Sequence, residues 1–179
     1  MTHRLFFGIR PPPTIRDTLI DTMDGIEGAR WQDDDQLHLT LRYVGEVSTP
    51  MANDLADGAF AIRFAPFDLF IAGCGVFERK GHAHTLYAGV QGGAGLERLV
   101  RRFERICQSC GLLPETRKFH PHITLARLNR SCGPLSSFLA RHAAIALGPW
   151  QVSEYILYRS HLRKHGSFYE PIVTYPATT

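Results

Sequence analysis

The sequence predicts an α+β fold built from a duplicated unit, two lobes around a central cleft, and three observations carry that prediction. Strand and helix patterns run as strand, helix, strand, helix, strands, and then roughly the same again. The tetrapeptide H-L-T-L at 38–41 returns as H-I-T-L at 122–125, 84 residues later and at the equivalent place in the second half. The 179 residues, 44% hydrophobic and 21% charged, suit a single bilobal unit spanning 1–179. A chain of this length buries roughly 70% of the surface its unfolded form exposes, so it needs neither disulfides nor a structural metal to fold.

The elements follow from periodicity and punctuation. Arg4 to Ile9 reads as a strand, and Pro11 to Pro13 open a helix to about Met23, since proline is tolerated in a first helical turn. Leu37 to Val44 alternates as a strand that Gly45 ends. Ser48 or Thr49 caps a helix from about Pro50 to Arg63, whose Met51, Leu55, Ala59 and Ile62 recur at helical spacing. Phe67–Ala72 and His84–Val90 read as strands, and Gly89 to Gly95 as the turn into a helix. That helix, 95–110, carries Leu96, Leu99, Val100, Phe103 and Ile106 on one face. A strand through His120 to Leu125, a short helix near 134–145, and strands near 151–160 and 168–175 complete the chain.

Several function classes drop out. No run approaches the roughly 20 apolar residues of a membrane helix, and Leu5 to Ile9 is too short for a signal-peptide core, which points to a cytoplasmic protein. The cysteines at 74, 107, 110 and 132 are then expected as free thiols. Cys107 and Cys110 form a C-x-x-C, but at the end of the 95–110 helix, where the dipole does not favour a redox thiolate. Net charge is only +3 yet unevenly placed: residues 17–35 hold seven acids against Arg30, and residues 97–130 hold eight bases against three acids. Most of these are expected on solvated helix faces, while the basic second half suits a phosphate ligand.

The repeated tetrapeptides carry the chemistry. Side chains at i and i+2 of a strand share a face, so His38 projects with Thr40, and His122 with Thr124, while Leu39, Leu41, Ile123 and Leu125 pack behind. Two imidazoles facing each other suit in-line displacement at phosphorus, one removing a proton from the attacking water and the other protonating the leaving oxygen. The threonine hydroxyls can donate to phosphate oxygens, and Arg127 adds a fixed positive charge where charge develops. Pseudo-symmetry leaves open which histidine is the acid. His120 with His122, and His82 with His84, are H-x-H pairs, but neither has a nearby Asp or Cys to complete a ligand set, so no metal or other cofactor is expected. The Gly-rich stretch 89–95 is neither a P-loop nor a dinucleotide fingerprint.

With these residues in hand, the chain resembles the two-histidine phosphoesterases, and within them the RNA 2′,3′-cyclic phosphodiesterases, also called 2′-5′ RNA ligases. The resemblance covers the whole chain: R-L-F-F-G-I at 4–9, H-L-T-L-R-Y-V-G-E-V at 38–47, F-H-P-H-I-T-L-A-R at 119–127 and L-Y-R-S at 157–160, in the family's order. It implies a bilobal α+β fold with an antiparallel sheet in each lobe. It places His38 and His122 on the catalytic histidines, Thr40 and Thr124 on their partners, and Arg127 on the phosphate-contacting arginine. Gly8, Arg10 and the acidic run Asp33–Asp35 are less typical of the family. The implied reaction opens an RNA-terminal 2′,3′-cyclic phosphate to a 2′-phosphate, with His122 as the base that activates water and His38 as the acid at O3′. The same residues running the other way join a 2′-5′ linkage. The expected partners are RNA ends or nucleotides carrying a 2′,3′-cyclic phosphate, with no membrane and no obligate protein partner for a monomer. Two other readings stand beside it: a relative acting on a small cyclic phosphate such as an ADP-ribose derivative, and an RNA-end-binding module without turnover.

Overall fold

A computed structural model describes residues 1–178. Nine strands and four helices follow one another as β1 (Thr2–Ile9), α1 (Pro13–Asp21), β2 (Arg30–Trp31), β3 (Leu39–Ser48), α2 (Thr49–Phe60), β4 (Phe67–Arg79), β5 (His82–Gln91), α3 (Gly93–Ser109), β6 (His122–Arg127), α4 (Ser136–His142), β7 (Ala146–Val152), β8 (Glu154–Arg163) and β9 (Gly166–Pro176). A 3₁₀ turn, Asp34–Gln36, precedes β3.

The strands form one antiparallel sheet in the order β7-β4-β5-β6-β3-β1-β8-β9, with β2 beside β6. This order reads symmetrically about the β6/β3 junction: each half has a motif strand at the centre, a partner next to it (β5 or β1), and a hairpin or long strand pair outside. The α+β class and the antiparallel pairing therefore stand as the family resemblance implies. What the sequence does not predict is that the two half-sheets fuse, through a pairing recorded at Leu39↔Ile123. Those are the residues between His and Thr in the two tetrapeptides, so the pseudo-twofold axis passes through the motifs themselves.

One face of the sheet is the core. Leu5, Phe7 and Ile9 of β1, Leu39 and Leu41 of β3, and Ile123 and Leu125 of β6 join a single buried cluster that spans both halves. Helix α3 lays Leu96, Leu99, Phe103 and Cys107 onto it, at the spacing of one helical face. Phe103 is fully buried, stacked on Phe7 at 4.5 Å and edge-on to Tyr155 at 4.7 Å. Truncating a ring in such a position typically costs about 3–5 kcal/mol. Arg42 of β3 reaches Glu104 of α3 at 2.7 Å, which ties the helix across the sheet. The opposite face carries a second, small cluster, Phe6, Ile156 and Tyr158 with Tyr169 against them, and this is the cleft side.

The boundaries differ where local chemistry overrides periodicity. β3 does not stop at Gly45: the register jumps from Leu5↔Gly45 to Phe6↔Tyr43, and Gly45 takes φ +86, so Val44 is absorbed as a bulge and the strand runs on to Ser48. α1 stops at Asp21 rather than Met23, with the Thr22 hydroxyl donating to the Leu19 carbonyl at 2.6 Å. Ser48 is the cap of α2, its hydroxyl accepting from the Met51 amide at 3.5 Å. β6 starts at His122, so His120 precedes the strand and does not share its ladder. The predicted 151–160 strand is two strands, β7 and β8, that break at Ser153. All four cysteines are free, and burial pushes the Cys107 thiol up to about 11. Among the described residues no helix is long and apolar enough to cross a membrane.

Candidate active site

The Leu39↔Ile123 pairing sets the geometry. With those apolar side chains turned into the core, His38 just before β3, Thr40 on β3, and His122 and Thr124 on β6 emerge on the other face. Continuing the antiparallel register puts His38 level with Thr124, and Thr40 level with His122. All four, together with Arg127, line one cleft of about 250 Å³, bordered also by Arg4, Phe6, Gln32, Ser160 and Tyr169. The structure thus brings His38, Thr40, His122, Thr124 and Arg127 into one cleft.

The two imidazoles are held alike. His38 Nδ1 lies 2.8 Å from the Gln36 carbonyl oxygen, and His122 Nδ1 lies 2.7 Å from the His120 carbonyl oxygen, in both cases two residues back along the chain. A carbonyl only accepts, so Nδ1 carries the proton and the neutral ring presents its lone pair at Nε2. His38 Nε2 stands 3.1 Å from Thr40 Oγ1.

The duplication extends to the walls behind the histidines. Phe6 of β1 stacks on Tyr158 of β8 at 5.0 Å, and Phe6 lies 4.7 Å from the His38 ring. Across the axis, Tyr87 of β5 stacks on Phe77 of β4 at 4.4 Å, and Phe77 meets His122 edge-on at 4.8 Å. Gly75 makes the second wall possible: a Cβ there would sit 2.5 Å from Tyr87 Oη. The symmetry breaks at one place. His38 has a third aromatic neighbour, Tyr169 of β9 at 4.9 Å, whereas the comparable neighbour of His122 is the imidazole of His120 at 6.2 Å.

Electrostatics follow the enclosure. Burial lowers His38 to about 4, partly opposed by the Gln36 carbonyl, with His122 and Arg127 adding repulsion. His122 is also lowered, by burial first, against the pull of the His120 carbonyl and with repulsion from His120 and Arg127. Arg127 anchors one end of its guanidinium by donating from Nη1 to Thr85 Oγ1 at 2.9 Å. It borders the cleft and two neighbouring depressions, one of them a groove of about 680 Å³ that continues past Tyr43 and His122 to Arg101, Lys118 and Phe119.

The histidines of the H-x-H pairs have other neighbours. Phe77 and Tyr87 each stand 5.2 Å from His120 and also contact His122, while His84 is bonded to Thr85. Among the described residues no group of three or more His, Cys, Asp or Glu is arranged to hold a metal ion. Sequence reasoning missed Phe77, Tyr87, Tyr169 and Thr85, which reach the site only through pairing. Phe6 and Tyr158 did carry a signal: Leu5-Phe6-Phe7 and Ile156-Leu157-Tyr158 are apolar on both strand faces, so one face of each strand had to meet something other than the core.

Two matched His-x-Thr strands converging on one cleft, on a sheet with twofold order, define a two-histidine phosphoesterase. The chain belongs to the 2′-5′ RNA ligase superfamily, whose family model matches residues 11–163. It is 37% identical over 143 residues to the RNA 2′,3′-cyclic phosphodiesterase of Aeropyrum pernix, covering 78% of this chain and 81% of that one. It is 30% identical over 186 residues to the enzyme of the same name from Escherichia coli, covering 98% and 97%. Among solved structures, E. coli LigT complexed with 3′-AMP superposes with a TM-score of 0.79 at 28% identity over the whole of both chains. TT0787 of Thermus thermophilus gives 0.83 at 25% identity over 97% of each.

Proposed function

We propose that the protein hydrolyses the 2′,3′-cyclic phosphate at the end of an RNA strand to a 2′-phosphate, by paired histidine acid/base catalysis that needs no metal. The observation that carries this reading is the pair of Nδ1-anchored imidazoles on strands joined at Leu39↔Ile123, with Arg127 in the same cleft. The names of the relatives in A. pernix and E. coli support the substrate class.

The proton moves are these. Water attacks phosphorus opposite O3′ as His122 Nε2 takes its proton; the new P–O bond forms, the P–O3′ bond breaks, and His38 Nε2–H supplies the proton to O3′. Arg127, Thr40 and Thr124 donate to the non-bridging oxygens while charge builds on them. His122 ends protonated and His38 neutral, and exchange with solvent resets both. A 5′-hydroxyl in place of water gives a 2′-5′ linkage by the same proton moves, so ligation runs parallel to hydrolysis and not as its reverse. The direction, with His122 as base and His38 as acid, follows the family resemblance. It requires His38 to be charged when the anionic phosphate is bound, whereas burial by itself favours the neutral ring.

That requirement has a kinetic consequence. Both histidines are lowered, so the bell-shaped profile of kcat/KM, which reports free enzyme, is expected to have both limbs on the acid side of 6.5. A bound phosphate anion favours the charged imidazoles, so both limbs of kcat should move to higher pH. Limbs of kcat/KM at or above 6.5, measured on a dinucleotide 2′,3′-cyclic phosphate, would contradict the burial argument. Activity is also expected to persist after exhaustive chelation with EDTA; loss that zinc or manganese restores would replace the acid/base scheme with a metal site.

The deciding experiment is phosphorus NMR of the product. A cleft with one base and one acid fixed on joined strands should open the ring in one direction only, giving the 2′-monoester. The 3′-monoester would exchange the roles of His38 and His122, a reversal the lower pKa of His38 would suit. Both isomers together would mean the cleft does not orient its substrate. Preference for a cyclic-phosphate oligonucleotide over an ADP-ribose cyclic phosphate is expected, because the groove past Tyr43 and His122 offers room and positive charge beyond one nucleotide. The opposite preference points to the small-nucleotide reading, and binding without turnover to the recognition module.

A further inference from the structure

We infer that Thr85, a buried residue of β5, positions Arg127 for the phosphate by accepting a hydrogen bond from its guanidinium. The inference rests on the reading of Arg127 just given. At this level β6 runs between β2 and β5, and the registers are Arg30↔Arg127 on one side and Thr85↔Arg127 on the other. Arg127 therefore has a like charge across one ladder and a hydroxyl across the other. Its side chain is otherwise exposed, and a guanidinium on a long flexible stem samples many rotamers unless something fixes it.

Thr85 is built to fix it. The residue is 1% exposed, so water does not compete for its oxygen. The hydroxyl has one hydrogen and two lone pairs. Arg127 Nη1, which can only donate, lies 2.9 Å away, and His84 Nδ1 lies 2.8 Å away. Thr85 therefore accepts from the guanidinium, and its hydroxyl also lies within hydrogen-bond distance of the His84 ring. Nη1 is pinned at the wall, and the remaining guanidinium N–H groups are left for a phosphate fork. The second H-x-H pair is split: His84 meets the Thr85 hydroxyl, and His82 sits beside the β4–β5 turn, paired with Arg79.

The test is a double-mutant cycle of Thr85→Val, which keeps the shape and removes the hydroxyl, with Arg127→Met. Kinetics are read on a dinucleotide 2′,3′-cyclic phosphate beside a thermal melt. Loss of orientation at a catalytic group is expected to lower kcat/KM by roughly 10- to 100-fold, mainly through kcat. Thr85→Ser, which restores the hydroxyl, should recover most of it. In the Arg127→Met background, Thr85→Val should cost almost nothing more, because the group it positions is gone. An equal fold-loss in both backgrounds overturns the proposal, since Thr85 would then act through the fold. An active Thr85→Val beside an impaired Arg127→Met also overturns it and leaves the phosphate role of Arg127 intact. An active Arg127→Met removes that role and the positioning inference together. Thr85→Ala carries the same cycle if Thr85→Val melts early.

Discussion

His38→Ala and His122→Ala should each abolish most turnover while leaving the protein folded. Each deletes a proton carrier, and acid/base catalysis by a positioned side chain typically contributes roughly 10²- to 10⁴-fold. The loss should fall on kcat, since neither imidazole is the main anchor of the phosphate in this scheme. The double variant should be little worse than either single one, because one proton transfer without its counterpart leaves the displacement stalled. Structure argues that the loss will not be a folding effect. His38 and His122 are outside the core cluster, and Leu39 and Ile123 beside them still join the half-sheets. His38→Ala does open a gap between Phe6 and Tyr169, so a modest fall in melting temperature is expected for it, and a smaller one for His122→Ala. Near-normal turnover in either variant, on a cyclic-phosphate dinucleotide, would end the two-histidine mechanism.

How much of this site was open to reading along the chain depends on the distance between the residues concerned. His38 with Thr40 and His122 with Thr124 share faces because they are two apart on strands, and period-two alternation is a local property. Their arrival in one cleft was legible as well, because the tetrapeptide repeats. The fusion of the half-sheets was not, since nothing local specifies that Leu39 pairs with Ile123 rather than with a strand of its own lobe. Thr85 lies 42 positions from Arg127 and meets it only through the β5–β6 register. Tyr87 needs Gly75 on a neighbouring strand before its ring can lie over Phe77. The break in symmetry that encloses His38 more fully than His122 comes from Tyr169, at the far edge of the sheet order. The misread ends have the opposite cause: Gly45 looks like a stop on local grounds, and cross-strand pairing with Leu5 overrides it.

Arg127→Met should be the most damaging change among the basic residues of the second half, with a loss of roughly 10²- to 10³-fold in kcat, the scale on which removing one fixed donor to a developing oxyanion is felt. Position separates it from its neighbours. Arg127 borders the cleft that holds both histidines, Lys118 lines only the groove beyond, and Arg130 lines neither. A planar guanidinium pinned at one end offers the phosphate two parallel donors, whereas a lysine or an unanchored arginine raises the local potential without aiming it. Lys118→Met should therefore change KM by a few-fold at most, and more at low salt than at high salt, as expected of a charge that attracts a strand from the groove. Arg130→Met should do less. Arg127→Lys is the sharper comparison, because it keeps the charge and loses the fork: if charge alone mattered it would rescue Arg127→Met, and on the geometry described it should recover no more than about a tenth of the activity. Equal losses for Arg127→Met, Lys118→Met and Arg130→Met, measured at one salt concentration on the same cyclic-phosphate dinucleotide, would show that the cleft works by its overall potential and that the anchored guanidinium has no special part in the displacement.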